Sequence, residues 1–137
     1  MQFGLGGGYI YVTYLERLFI LQKRAVRIIC NASFLAHTDP LFYSKKILKI
    51  FDIHKFRLAI YMYQNHSTEF SSADHSYNTR FRHHLVPEFH RLNSSQRSLN
   101  FTAPHFWNSL PEYIKQADSI NIFKRIVKEY LLEQYLI

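Results

Sequence analysis

Cysteine is almost missing from this chain: a single residue, Cys30, stands in 137. That excludes an internal disulfide framework and a Cys-rich zinc site, and it favours a reducing, intracellular compartment, nuclear or cytoplasmic. Glycine is absent after Gly8. A Gly-x-Ser-x-Gly nucleophile elbow therefore cannot be written anywhere in the chain. The early glycines, Gly4 to Gly8, do not make a phosphate loop either: Tyr9 stands where a Gly-x-Gly-x-x-Gly pattern needs its last glycine, and no Gly-Lys-Ser/Thr follows. Acidic residues are few, 10 against 17 lysines and arginines, and the aspartates Asp39, Asp52, Asp74 and Asp118 are scattered. No paired-carboxylate site for magnesium or for acid–base chemistry is readable. No apolar run approaches the roughly 18–20 residues of a membrane span, and no secretory signal precedes Arg17, so no membrane partner is expected.

What the chain does hold is aromatic and basic. Hydrophobic residues make up 47% and aromatics 17%, carried by 12 Phe and 10 Tyr against one Trp. The formal charge is +7 and the pI near 9.6, a balance that favours a polyanionic partner. The length suits one compact domain with a real core.

Periodicity predicts a mostly α fold of about four to six helices. From Tyr11 to Asn31 the residues Leu15, Leu18, Phe19, Ala25, Val26, Ile29 and Cys30 fall on one arc, with Arg17, Lys23, Arg24 and Arg27 opposite. Thr38-Asp39-Pro40 reads as a capped start for a helix from Leu41 to about Ile50, with Lys45, Lys46 and Lys49 on its wet side. Asp52 can cap the next helix, Ile53 to about Asn65, whose inward stripe is Ile53, Phe56, Ile60 and Tyr63; Leu58, Ala59, Tyr61 and Met62 make it apolar nearly all round. After a polar stretch, Ser67 to Ser76, the segment from Tyr77 to Phe101 has no helical period. It interleaves arginines and histidines with aromatics, and alternation at Tyr77-Thr79-Phe81 and Gln96-Ser98-Asn100 is compatible with a short β-hairpin. Thr102-Ala103-Pro104 opens a short helix, Leu110-Pro111 another, and Ser119 caps a final one with the stripe Phe123, Ile126, Val127, Tyr130 and Leu131. The expected organisation is a helical half (1–66), a linker with the basic–aromatic segment (67–101) and a helical C-terminal cap (102–137) in one compact unit.

Candidate chemistry is thin. Eight histidines raise the question of a metal, with His83, His84 and His90 the densest group, yet no His-Glu-x-x-His occurs and adjacent residues on a strand point opposite ways. Cys30 lies on the apolar arc, where a small buried hydrophobe is expected rather than a nucleophile. No active site, metal or cofactor is read. The remaining candidates are the cations Arg17, Lys23, Arg24, Arg27, Arg80 and Arg82, which can neutralise phosphates, and Tyr77 and Phe81 (with Trp107), which can stack on bases. The plainer reading is a solvated helix face and a loop whose aromatics cover the core.

Several blocks, in order, resemble the far C-terminal region of reverse transcriptases from non-LTR (LINE-type, jockey-like) retrotransposons. They are Leu21-Gln22-Lys23-Arg24-Ala25-Val26-Arg27-Ile28-Ile29, His37-Thr38-Asp39-Pro40-Leu41-Phe42, Tyr77-Asn78-Thr79-Arg80, Phe106-Trp107-Asn108-Ser109-Leu110-Pro111, and Ser119 through Phe123-Lys124. Together they cover the chain from about Phe3, although the N-terminal edge lacks the family's tryptophan. The family's Trp-Asn-x-Leu-Pro block would make Trp107, Asn108, Leu110 and Pro111 a structural motif here. The resemblance implies a parent RNA-directed DNA polymerase, but its Tyr-x-Asp-Asp set has no counterpart in these residues. It therefore implies a tail fragment, not an enzyme on its own, that contacts RNA or DNA. The alternatives are a structural or protein-interaction module docking on the polymerase domain, or a relic without function. A tail parted from its polymerase is expected to expose apolar surface that has lost its neighbour.

Overall fold

The computed structural model describes residues 8–70, 72, 84–87 and 99–137. Among them the fold is all helical: α1 (Gly8–Ile29), α2 (Asp39–Ser44), α3 (Ile50–Glu69), α4 (Leu99–Ser109), α5 (Glu112–Lys115) and α6 (Ile120–Glu133), closed by a 3-10 turn (Gln134–Leu136). No strand occurs among the described residues; an isolated antiparallel bridge joins Ser72 to Leu85. Most of the expected hairpin lies outside the described residues. Its last residue, Asn100, is helical, because α4 begins at Leu99.

The chain divides into two compact units, Met1–His54 with Lys128–Ile137, and Lys55–Val127. The first has a core of Val26, Phe42, Leu48, Leu131, Leu132 and Tyr135. The Phe42 ring lies 6.2 Å from Phe19 and 6.3 Å from Tyr135, and Phe19 meets Phe51 edge-on at 5.3 Å. The second unit buries Met62, Ala103, Trp107, Ile114, Phe123 and Val127. Tyr63 stacks on Phe123 at 4.3 Å and donates its hydroxyl to the Ala117 carbonyl at 2.6 Å.

Helix ends explain where the boundaries depart from expectation. After α1, Asn31 turns to φ 50. Its N–H reaches the Ile28 carbonyl and that of Ala32 reaches Arg27, which satisfies two orphaned carbonyls by the Schellman pattern. The same pattern ends α2: Lys46 has φ 53, with Lys46 N–H on Tyr43 and Ile47 N–H on Phe42. So α2 stops at Ser44 rather than continuing to Ile50. With no glycine in this part of the chain, a lysine carries a backbone conformation that costs an L-residue about 1–2 kcal/mol. Lys46→Gly is accordingly expected to raise stability by up to about 1 kcal/mol, read as a higher urea midpoint with unchanged slope. Thr38 is buried but makes no side-chain cap, leaving Pro40 in the first turn as the start signal.

Asp52 is not the cap of α3; it sits in the first turn, and the helix starts two residues earlier, at Ile50. The caps come from distant parts of the chain. Gln22 accepts the Ile50 N–H at 3.0 Å and donates to the Leu48 carbonyl at 2.8 Å. The Tyr135 hydroxyl accepts the Lys49 N–H at 2.9 Å and donates to the Asp52 carboxylate at 2.7 Å. Lys49, expected on the wet side, instead pairs with Asp39 at 2.8 Å and lies over the Tyr135 ring. The inward face of α3 also differs: Leu58, Ala59 and Met62 are buried, whereas Ile53 is exposed.

Burial, and then the hydrogen bond to Asp52, push the Tyr135 phenol well above its usual range, against the opposing pull of the Lys49 N–H. A phenol whose pKa is raised by folding stabilises the fold fully below its unfolded value, about 10, and that contribution fades as pH rises through the folded value. The wild-type melting temperature should therefore fall more steeply above about pH 10 than that of Tyr135→Phe. Parallel curves would contradict the assignment.

In the second unit, Pro104 lies inside α4, not at its start, and its ring is fully buried. That packing offsets the helix hydrogen bond a proline cannot make. Pro111 precedes α5 as its cap residue, and Ser119 Oγ accepts the Ile122 N–H at 3.4 Å at the start of α6, as the sequence predicts.

Candidate functional site

Of the residues singled out for nucleic-acid contact, Tyr77, Arg80, Phe81 and Arg82 lie outside the described residues. The four cations of α1 are described, and they divide. Arg17 and Arg24 are exposed. Lys23 is half-buried, with its ammonium 4.4 Å from the centre of the Phe19 ring. Arg27 is half-buried too: its Nε donates to the Ala36 carbonyl at 3.0 Å and its guanidinium lies 5.9 Å from the Phe34 ring. The first two stand in solvent; the other two hold the helix to its own surroundings.

The apolar arc of α1 divides in the same way. Val26 is buried and Phe19 half-buried, packing toward Phe42 and Phe51. Leu18, Ala25 and Ile29, expected in the core, are exposed, and Cys30 is half-buried. The physical reason is width. Apolar residues occupy more of α1 than one packing face can cover, so burying the Phe19–Val26 face turns a second face outward.

That second face is regular. Tyr14, Leu18, Leu21, Ala25 and Ile28 recur at alternating steps of four and three, the 3.5-residue repeat of a helix–helix seam. Tyr14 is 60% exposed, Leu18 48%, Leu21 56% and Ile28 80%. One edge of the stripe is basic, because Arg17 and Arg24 each precede a stripe residue; on the other edge Gln22 is tied to Leu48 and Ile50. Beyond the C-terminal end, Phe34 and Leu35 are also exposed. There an open groove of about 330 Å³ is lined by Arg24, Arg27, Ile28, Ala32 and Phe34, with no acidic residue in its wall. Tyr14, Leu21, Ile28 and Phe34 are not among the candidate contact residues of the sequence, although Leu21 and Ile28 stand in its basic helical block. Their signal was the four–three spacing, which by itself does not tell a core face from a docking face.

Trp107, Asn108, Leu110 and Pro111 build the second unit. Trp107 is buried and stacks on His66 at 4.9 Å. The Asn108 side chain accepts the Leu85 N–H at 2.9 Å and donates to the Leu85 carbonyl at 2.8 Å, so one amide reads both backbone groups of a distant residue. Leu110 is buried, and Pro111 follows it where the chain turns into α5. Among the described residues no group of three or more His, Cys, Asp or Glu could hold a metal ion, and no helix is long and apolar enough to cross a membrane. His83 and His90 lie outside the described residues. Compared with known protein families, curated proteins and solved structures, the chain matches none.

Proposed function

We propose that this chain is a non-catalytic interaction module that docks on a protein partner through the outer face of α1. One observation carries the reading: a seam-patterned apolar stripe, Tyr14 to Ile28, stands in solvent on a helix that already has a separate buried face. Covering such a half-exposed leucine can supply about 1 kcal/mol, and covering Ile28, which is 80% exposed, about 2 kcal/mol. The resemblance to the end of a LINE-type reverse transcriptase supplies the partner in this proposal, the polymerase domain. Contact with RNA or DNA is the second reading, favoured by the groove lined by Arg24, Arg27 and Phe34, with Arg27 over the Phe34 ring; guanidinium and phenyl groups suit phosphate and base.

Co-expression with a LINE-type polymerase domain decides between them. Docking predicts a complex that withstands moderate salt and is lost in the Leu18→Gln, Leu21→Gln double variant. The second reading predicts instead that single-stranded RNA binds with log affinity falling linearly against log salt, and that Arg17→Ala with Arg24→Ala reduces that slope. RNA binding without a protein complex would overturn docking.

A further inference from the structure

The stripe also constrains what covers it. Resting on the docking reading, we infer that the occupant is one amphipathic α-helix of a different protein, with acidic residues along the edge that meets Arg17 and Arg24. Three features lead there. The alternating four–three spacing is that of knobs entering holes between helices; a strand would match a period of two. With Leu18 and Ala25 at the a positions of that repeat and Tyr14, Leu21 and Ile28 at d, Arg17 and Arg24 hold g positions, where helix pairs place the charges that choose partner and orientation. The third feature is Ala25, a small residue set between Leu21 and Ile28.

A second copy of this chain fits poorly. Paired in parallel, Ala25 would face Ala25 and leave a void in the seam. Paired antiparallel, the arginine edges would meet each other. Either way two chains of charge +7 would be brought together. A heterologous helix avoids each problem: a large apolar residue fills the space above Ala25, and glutamates or aspartates answer the arginines. The groove beside Ile28 continues the surface, with the exposed Arg24 placed to take a carboxylate from the end of the incoming helix.

The test uses the intact protein and synthetic 21-residue helices with Leu and Ile at the seam positions. One peptide carries Glu at both flanking positions, which also keeps it from pairing with itself; a second carries Lys there. The Glu peptide is expected to bind about tenfold or more tighter than the Lys peptide. The Arg17→Glu, Arg24→Glu variant should reverse that order, and Leu18→Gln with Leu21→Gln should abolish binding of both while the circular dichroism spectrum stays unchanged. Equal affinity for the two peptides would overturn the acidic partner but leave docking intact. So would capture of the polymerase domain with neither peptide bound. A dimer of this chain in sedimentation, lost in the Leu18→Gln, Leu21→Gln variant, would overturn the heterologous partner. Binding of a 20-nucleotide poly(U) RNA with neither peptide nor polymerase domain bound would overturn docking and the acidic helix together.

Discussion

Phe42→Ala is expected to remove about 3–5 kcal/mol of stability, enough to unfold much of the unit that contains it. The side chain has no exposed surface, and its ring sits among Phe19 and Tyr135. Its backbone carbonyl also takes the Ile47 N–H that ends α2. Because α2 has only six residues, it holds its shape by packing rather than by its own helical tendency. The loss should appear in urea unfolding followed by far-UV circular dichroism. Tyr43→Ala, one residue along and exposed, should cost no more than about 0.5 kcal/mol. Equal costs at the two positions would contradict the packing described.

The second large effect is on binding. Leu18→Gln with Leu21→Gln should weaken partner affinity by about 10- to 100-fold, since two leucines, each about half-exposed in the free chain, lose roughly half of the ~1.5–3 kcal/mol that full burial of each is worth. Stability should fall by no more than about 1 kcal/mol, because about half of each side chain stands in solvent when the chain is alone and glutamine keeps the inner methylenes. Val26→Gln, on the buried face of the same helix, should do the reverse and destabilise the fold directly. A melt that drops equally for both sets would place Leu18 and Leu21 in the core and end the docking reading.

The helices themselves were legible in the sequence, α6 best of all: Ser119 caps it, and Phe123, Val127 and Leu131 are buried at the expected spacing. Boundaries failed where the signal was absent or distant. The end of α2 carries no glycine, so nothing local marks Lys46 as its stop. The start of α3 is capped by Gln22 and Tyr135, 28 and 86 residues from the groups they bind, and a local pattern cannot announce such partners. Pro104 suggested a helix start because a proline usually avoids the interior; here burial holds it there.

The candidate site was half legible for a related reason. Charge and helical period identify Arg17, Lys23, Arg24 and Arg27 as one basic face. Which of them reach solvent depends on Phe19, Phe34 and Ala36, whose rings and carbonyl engage Lys23 and Arg27. In the same way the apolar arc is visible in the residues, but its division into a buried face at Phe19 and Val26 and an open one at Leu18 and Leu21 is set by the packing of α1 on Phe42 and Phe51.

Hydroxyl-radical footprinting of the intact chain, alone and with the polymerase domain, tests the outer face of α1 most directly. Alone, Tyr14 should oxidise as readily as the equally exposed Tyr113, and Leu18, Leu21 and Ile28 should be modified as well, while Phe42 and Val26 stay unmodified. With the partner added, the four should become protected and Tyr113 should not. Protection of the four residues in the isolated monomer would mean that the chain already covers this face, and the account would fail.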